Sequence, residues 1–503
     1  MQFNSIEFFI FLTTIIILIN CIRKSYHQQL LLIGASYLFY WTTSNYFILL
    51  LLFVTAISFQ AGETIYHTNH PIQKKIILIF TLICLLIPLA FFKYYNFGIG
   101  ILNQILYNHT LLPDFPILEL ILPIGISFFT FSAISYVIDI YNDTIQPEEN
   151  FFKYALFISY FPHLLAGPIV RAGQFLPQLK SRISINQENV KIGITLMMWG
   201  FVKKFVIADS CAPIVNEIFS NPTEFTSFYI IYATILFGIQ IYCDFSGYID
   251  IALGAAELIG FHLPQNFFRP YLSKNPTEFW RRWNITLSKF IRDYVYIPLG
   301  GNRKGKIRTY FNIEFSMLLC GLWHGAAWNF LIWGGYHGIL QSAYKFIVDK
   351  TESFPKILPS LNDNFKLFLQ IVITQYFIFL GWIMFRVSNF SEMIFCITKF
   401  ILIDFDFSRP KYSIFGITTI LDWFATLGSF IKFFIIISVL LSIILLIHNR
   451  FFMKTMSNIL TTDWTHAISS LPLKYWIIYL TSTIFILLCF TPSSSPEFIY
   501  YQF

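Results

Sequence analysis

Apolar runs of about 20 residues recur along nearly the whole chain, the length needed for a helix to cross a hydrocarbon layer. Candidate spans lie near Ile6–Asn20, Leu30–Phe59, Ile76–Phe92, Leu118–Ile140, Phe151–Val170 and Ile192–Ala208. More follow near Phe228–Ile241, Phe311–Phe330, Leu331–Phe346, Phe365–Phe385, Ile431–Ile447 and Tyr475–Phe490. The stretch Leu30–Phe59 is long enough for two short helices broken around Thr42–Asn45. Roughly a dozen spans result, an all-α polytopic membrane protein with enough helix to enclose a cavity in one domain over residues 1–503. With 56% hydrophobic and 12% charged residues among 503, the chain is neither disordered nor a soluble globule. The first span follows no basic residues and no small-residue cleavage site, so it is expected to be retained. Arg23 and Lys24 after it place the N-terminus outside the cytoplasm by the positive-inside rule.

Polar side chains inside such runs are costly and point to cavities or partners. His324 sits in Gly321-Leu322-Trp323-His324-Gly325, within an apolar run from Phe311 to Trp333. Gly321 and Gly325 would let a helix or a ligand approach the backbone. The imidazole is either a functional group or one satisfied by a neighbouring carbonyl. His337 follows thirteen positions later. On one unbroken helix the two rings would stand about 20 Å apart along the axis and could not share a reaction centre. Either Gly334-Gly335 breaks the helix or His337 has a separate role, which is the favoured reading. His163 lies in a proline-broken helix, Phe161–Arg171, with Pro162 and Pro168. Asp244 and Asp250 follow another span and are expected to form structural ion pairs. The seven scattered cysteines form no CxxC pair and suggest neither a zinc site nor a disulfide framework.

Charge is concentrated. Residues 262–310 hold ten Lys/Arg against Glu278 and Asp293, a net of +8 that exceeds the whole chain's +7. A cytoplasmic loop touching anionic lipid accounts for this, and so does a site for a polyanion such as a nucleotide or coenzyme A. Nucleic acid does not fit, because no binding module accompanies the charge. Asn275-Pro276-Thr277-Glu278 reads as a helix start, and apolar residues recur from Phe279 to Tyr294 at helical spacing, with Arg281, Arg282, Lys289 and Arg292 mostly opposite. The expectation is one amphipathic helix, interfacial or re-entrant, followed by the glycine-rich basic loop Pro298–Gly305. No G-x-S-x-G elbow, H-E-x-x-H, P-loop or dinucleotide fingerprint is present.

Together, Asn266–Tyr271, Glu278–Trp283, Arg292–Arg303 and Gly321–Gly325 resemble the membrane-bound O-acyltransferases, most closely the bacterial alginate O-acetyltransferase type. Phe161–Arg171, Tyr242–Asp250 and Gly381–Arg386 are similar to that branch as well, so the resemblance covers roughly residues 120–390. It implies that His324 is catalytic. It also implies a second polar residue, often His, at Asn284, where an amide can orient or hydrogen-bond a carbonyl but cannot serve as a base. The implied donor is acetyl-CoA, with no permanently bound cofactor and no metal. Arg281, Arg282 and Arg303 are the candidate phosphate contacts, and Trp283 completes the donor-binding set. The implied acceptor is an exported polysaccharide or a carrier, with an SGNH-type periplasmic acetyltransferase as a further partner, at the bacterial cytoplasmic (inner) membrane. Two rivals are D-alanyl transfer from a carrier protein to teichoic acid, and a non-enzymatic transporter or export scaffold. The scaffold predicts internal repeats, and none is visible.

Overall fold

The computed structural model describes residues 1, 3, 5–107, 115–351, 363–404, 464–492 and 498. Among these, all regular structure is helical. The expected span Ile431–Ile447 lies outside the described residues. Among the described residues, five stretches are long and apolar enough to cross a membrane: Ser25–His67, Pro71–Leu106, Ser227–Ile259, Phe365–Arg386 and Leu473–Phe490. Ile6–Cys21 and Ile126–Tyr141 are shorter apolar helices.

The chain divides into two compact units. The first is drawn from Met1–Ile185 and Ile259–Phe390. It begins with α1 (Ile6–Cys21), α2 (Ser25–Ser44) and α3 (Ile48–His67). The expected break falls at Asn45, whose φ of 46° ends α2. Next, α4 (Pro71–Leu89) widens through the turn Ala90–Tyr94 and continues as α5 (Tyr95–Tyr107). Helix α6 (Ile126–Tyr141) starts later than its apolar run, because Pro123 and Gly125, at φ 81°, keep the preceding chain irregular. That irregular backbone is clipped to α5: Asn96 Nδ2 donates to Leu118 O at 2.7 Å while its Oδ1 accepts from Leu118 N at 3.0 Å. Asn103 makes the same paired bonds with Phe115, at 2.8 and 2.9 Å.

The expected span Phe151–Val170 is not one helix. It consists of α7 (Phe151–Ser159), the single turn α8 (Phe161–Leu164) and irregular chain up to α9 (Ala172–Phe175), as its two prolines require. The unit is completed by α13 (Pro276–Arg282), α14 (Ile285–Ile291), α15 (Lys306–His324), α16 (Trp328–Thr351) and α17 (Asp363–Arg386). Helix α3 packs on α4 and α6, and α16 packs on α15 and α17.

The second unit, from Asn186–Leu258 and Ser391–Glu497, contains α10 (Gln187–Phe201), α11 (Asp209–Ser220) and α12 (Ser227–Ile259). Helices α18 (Phe390–Ile401), α19 (Trp464–Ser469) and α20 (Leu473–Phe490) follow. Helices α10 and α12 touch through two glycine pairs. A Cβ at Gly200 would stand 2.6 Å from Gly247 O, and one at Gly254 would stand 2.6 Å from Gly193 O. Backbones this close gain packing that larger residues forbid. The expected ion pairs form here. Lys204 Nζ lies 2.6 Å from Asp244 and 3.0 Å from Asp209, and Lys203 lies 2.6 Å from Asp250. These carboxylates therefore serve a buried charge network within this unit.

Gly200→Leu should destabilise the protein by about 1–3 kcal/mol through overpacking. Gly34→Ala, whose added Cβ meets nothing within 4 Å, should not. Thermal unfolding in detergent micelles compares the two.

Candidate functional site

His324 is the last residue of α15, and the chain reverses between it and Trp328. The break thus falls at Gly325–Ala327, and α16 runs unbroken through Gly334-Gly335. This corrects the single-helix geometry. Helices α15 and α16 form a hairpin in which Gly321 sits against the Phe330 carbonyl, and a Cβ added to it would stand 3.2 Å from Gly334 Cα. The rings of His324 and His337 consequently lie on the same Trp333, each with a centroid separation of 4.9 Å. His324 is 4% exposed and also contacts Trp323 at 4.9 Å and Phe385 at 5.2 Å. His337 is fully buried against Trp280 and Phe279. Neither of its ring nitrogens has a hydrogen-bond partner among the described residues.

The expected helix from Asn275 to Tyr294 starts where the cap signal places it, with Asn275 Oδ1 accepting from Glu278 N at 2.7 Å, but it does not continue. It breaks after Arg282, because Asn284 takes the left-handed conformation (φ 42°, ψ 57°). Asn is among the few non-glycine residues that adopt it at modest cost. The break is fixed by Asn266, 18 residues earlier. Its carbonyl accepts from Ile285 N at 2.9 Å, its Oδ1 accepts from Thr286 N at 2.9 Å, and its Nδ2 donates to Asn284 Oδ1 at 3.1 Å. Thr286 Oγ1 in turn donates to Asn266 Oδ1 and accepts from Ile169 N at 3.0 Å. Asn284 is 2% exposed, and its Nδ2 has no partner among the described residues. The arrangement leaves one amide N–H₂ donor aimed by a fixed backbone. Trp283 is buried on Phe279, Phe267 and Trp382, the last at 4.9 Å. Its ring is a wall of the cluster. Through Trp382 and Phe385 (5.8 Å) it joins the rings around His324.

The other donor-binding candidates lie apart from this core. Arg281 and Arg303 are exposed, with Lys274, Lys289, Lys304, Lys306 and Arg308. Arg282 is committed to Glu278, at 2.6 Å. Burial opposes the Glu278 carboxylate, but the Lys274 N–H and Arg282 outweigh it and hold its pKa below the ordinary value. Gly300, Gly301 and Gly305 all have positive φ, so the basic loop follows a path that side-chained residues disfavour. Asn312 Nδ2 donates to Gly301 O at 2.9 Å and ties the loop to α15. Asp293 joins Arg292 (2.7 Å) and Arg171 (2.5 Å), and Arg171 stacks over Tyr294. Burial again opposes ionisation, and the two guanidinium groups overcome it, so the Asp293 pKa falls below 3.8.

Lys93 and Tyr94, in the wide turn between α4 and α5, carry no motif that marks them in the sequence. Lys93 Nζ donates to Trp323 O at 2.5 Å and to His324 O at 3.2 Å, and Tyr94 Oη donates to Leu322 O at 2.8 Å. Their one signal is a lysine at the end of an apolar run, and its partner lies 230 positions away. His163 is buried with its ring against Tyr160 and Phe175, a different set of rings from those that surround His324.

Comparison with known proteins gives the relatives of the chain. A family model described as "MBOAT, membrane-bound O-acyltransferase family" matches residues 36–382. The chain is 41% identical over 303 residues to "Probable alginate O-acetylase AlgI" of Azotobacter vinelandii, covering 60% of this chain and 58% of that protein. It is 37% identical over 354 residues to "Peptidoglycan O-acetyltransferase" of Helicobacter pylori, 65% of each. It is 29% identical over 294 residues to "Teichoic acid D-alanyltransferase" of Bacillus subtilis, covering 56% of this chain and 72% of that one. The matches to the two acetylases thus span less than two thirds of those relatives' length.

Because the folded-state pKa of Asp293 is depressed, its contribution is present above 3.8 and is lost as the pH falls through the lower folded value. Asp293→Asn should lower the melting temperature at neutral pH, and the gap to wild type should close on acidification through that window. A series of thermal melts against pH checks this.

Proposed function

We propose that this chain, which belongs to the membrane-bound O-acyltransferase family, transfers an acetyl group from acetyl-CoA to hydroxyls of an exported polysaccharide. The observation that carries the reading is His324, buried within an aromatic cluster that also holds Trp283, the chain neighbour of Asn284. The imidazole is buried at a helix break, and two rings, Phe385 and Trp382, link it to Trp283, the neighbour of the amide. A buried imidazole in apolar surroundings suits a base that starts neutral. His324 would accept the acceptor's hydroxyl proton as the oxygen attacks the thioester carbonyl, a step worth about 10²- to 10⁴-fold. The unpartnered Nδ2 of Asn284 would donate to the carbonyl oxygen as it becomes an oxyanion. Collapse breaks the C–S bond, and the thiolate leaves with the proton held by His324, giving the ester and free coenzyme A.

In this reading Arg281 and Arg303 meet the donor's phosphates on the cytoplasmic face of a bacterial inner membrane. Arg282 shapes that face through Glu278, and Trp283 walls the acyl end of the path. The family-like core is residues 120–390, and residues 262–310 form its interfacial segment. The polysaccharide acceptor is supported by the activities for which the alginate and peptidoglycan relatives are named. A periplasmic SGNH-type acetyltransferase would pass the group on where the glycan itself does not reach the site. D-alanyl transfer is the second reading, favoured by the 29% identical teichoic acid relative. It is disfavoured by the higher identity of the acetylases, at 37–41%.

The test is acetyl-CoA turnover by protein in nanodiscs with acceptor, together with the ester content of exported glycan. His324→Ala should abolish both at matched expression. Asn284→Gly keeps the left-handed backbone accessible and removes the amide, so it should lower kcat by about 10²- to 10³-fold. Arg281→Ala and Arg303→Ala should raise the donor KM and leave kcat near wild type. Transfer only from a D-alanyl carrier would replace the acetyl reading with the second.

A further inference from the structure

An α-helix ends with four carbonyls that have no intrahelical donor, and at membrane depth water does not supply one. In α15 these are the carbonyls of Gly321, Leu322, Trp323 and His324, and each is met. Gly325 N reaches back to Gly321 O at 3.4 Å, a long bond. The other three are met from a single turn of the α4–α5 rod. Tyr94 Oη donates to Leu322 O at 2.8 Å, and Lys93 Nζ donates to both Trp323 O and His324 O. Consecutive residues of an ordinary helix diverge by about 100°, so side chains of a neighbouring pair seldom converge on one helix end. Here the turn is wider than an α-helical one over Ala90–Tyr94, a local feature that recurs at functional sites. The ammonium also stands at the negative end of the α15 dipole, where a cation is favoured.

We propose that Lys93, with Tyr94, is the positioning device of the catalytic histidine. It fixes the main chain of Trp323 and His324 so that the imidazole stands on Trp333 and Phe385 at the observed angle. Lys93 contacts neither donor nor acceptor. It acts through the His324 backbone, which a general base needs because a displacement of about 1 Å costs on the order of 10²-fold in rate. The catalytic part of this assignment rests on the acyl-transfer reading above; the positioning part stands on the hydrogen bonds alone.

Two readouts separate these parts. The first is the NMR signal of the His324 imidazole in nanodisc-embedded protein labelled only at histidine, assigned by its absence in His324→Ala. Lys93→Met should shift and broaden that signal while the signals of the distant His27 and His67 stay in place, which also reports that the variant is folded. Lys93→Arg, which keeps two donors, should restore the wild-type position, and Tyr94→Phe should move it less. The second readout is kinetic. Lys93→Met should lower kcat by about 10- to 100-fold with the donor KM unchanged, Lys93→Arg should recover most of the loss, and Lys75→Met, at an exposed position in α4, should behave as wild type. An unmoved His324 signal in folded Lys93→Met overturns the proposal. So does a donor KM that rises with kcat constant, which would make Lys93 a donor contact. If wild type transfers no acyl group yet the His324 signal moves in Lys93→Met, positioning is upheld and the acyl-transfer reading fails by itself.

Discussion

A backbone amide or carbonyl left without a partner at membrane depth costs several kcal/mol, so a chain of this class can interrupt its helices only where something else supplies the missing bonds. Three of the interruptions described in the first unit meet that constraint with side chains from elsewhere in the chain. Asn96 and Asn103 clip the irregular approach to α6. Asn266 and Thr286 hold the left-handed turn at Asn284 and the irregular chain at Ile169. Lys93 and Tyr94 close the end of α15. The two residues with proposed chemical roles, His324 and Asn284, both sit at such interruptions. At Asn284 the irregular backbone holds a buried amide donor with no partner among the described residues.

Charge is used in two opposite ways. In the second unit it is buried and paired, Lys204 between Asp209 and Asp244, with side chains no more than 5% exposed. Such clusters are costly to desolvate and strongly destabilising to break, so burying one adds little net stability even though losing a partner is costly. In residues 262–310 most of the cations are exposed, while Arg282 and Arg292 are held by carboxylates. Exposed cations keep their hydration and stay accessible, as the contacts proposed above with a donor's phosphates require.

Much of the fold was legible in the sequence because apolar periodicity and capping are local. The α2–α3 break, the Asn275 cap, the proline interruptions after Ser159 and the ion pairs of Asp244 and Asp250 each follow from residues close together in the chain or from the cost of a buried charge. His324 was legible as a titratable ring in an apolar run flanked by glycines. The place of the break beside it was not. Gly334-Gly335 carries the stronger breaking signal, yet the glycine at 334 is used for close packing against α15, and the helix stops at Gly325. The turn at Asn284 was hidden for a different reason. Its apolar stripe fits a helix, and only pairing with Asn266, which no local pattern encodes, offsets the cost of the left-handed conformation. Lys93 was invisible in the same way, since its partner lies 230 positions later.

That separation has a consequence for assembly. A chain is made from its N-terminus, and the α4–α5 rod emerges long before the helix end it serves. Until α15 arrives, the Lys93 ammonium has no carbonyls of that helix to meet, and the rod containing it carries a charge within an apolar stretch, where a charge is disfavoured. Docking of α15 supplies the carbonyls that Lys93 meets in the folded chain. Formation of the site is thereby coupled to late, long-range closure, and a chain that stops short of Trp323 would keep its first apolar segments without the contact that seats one of them.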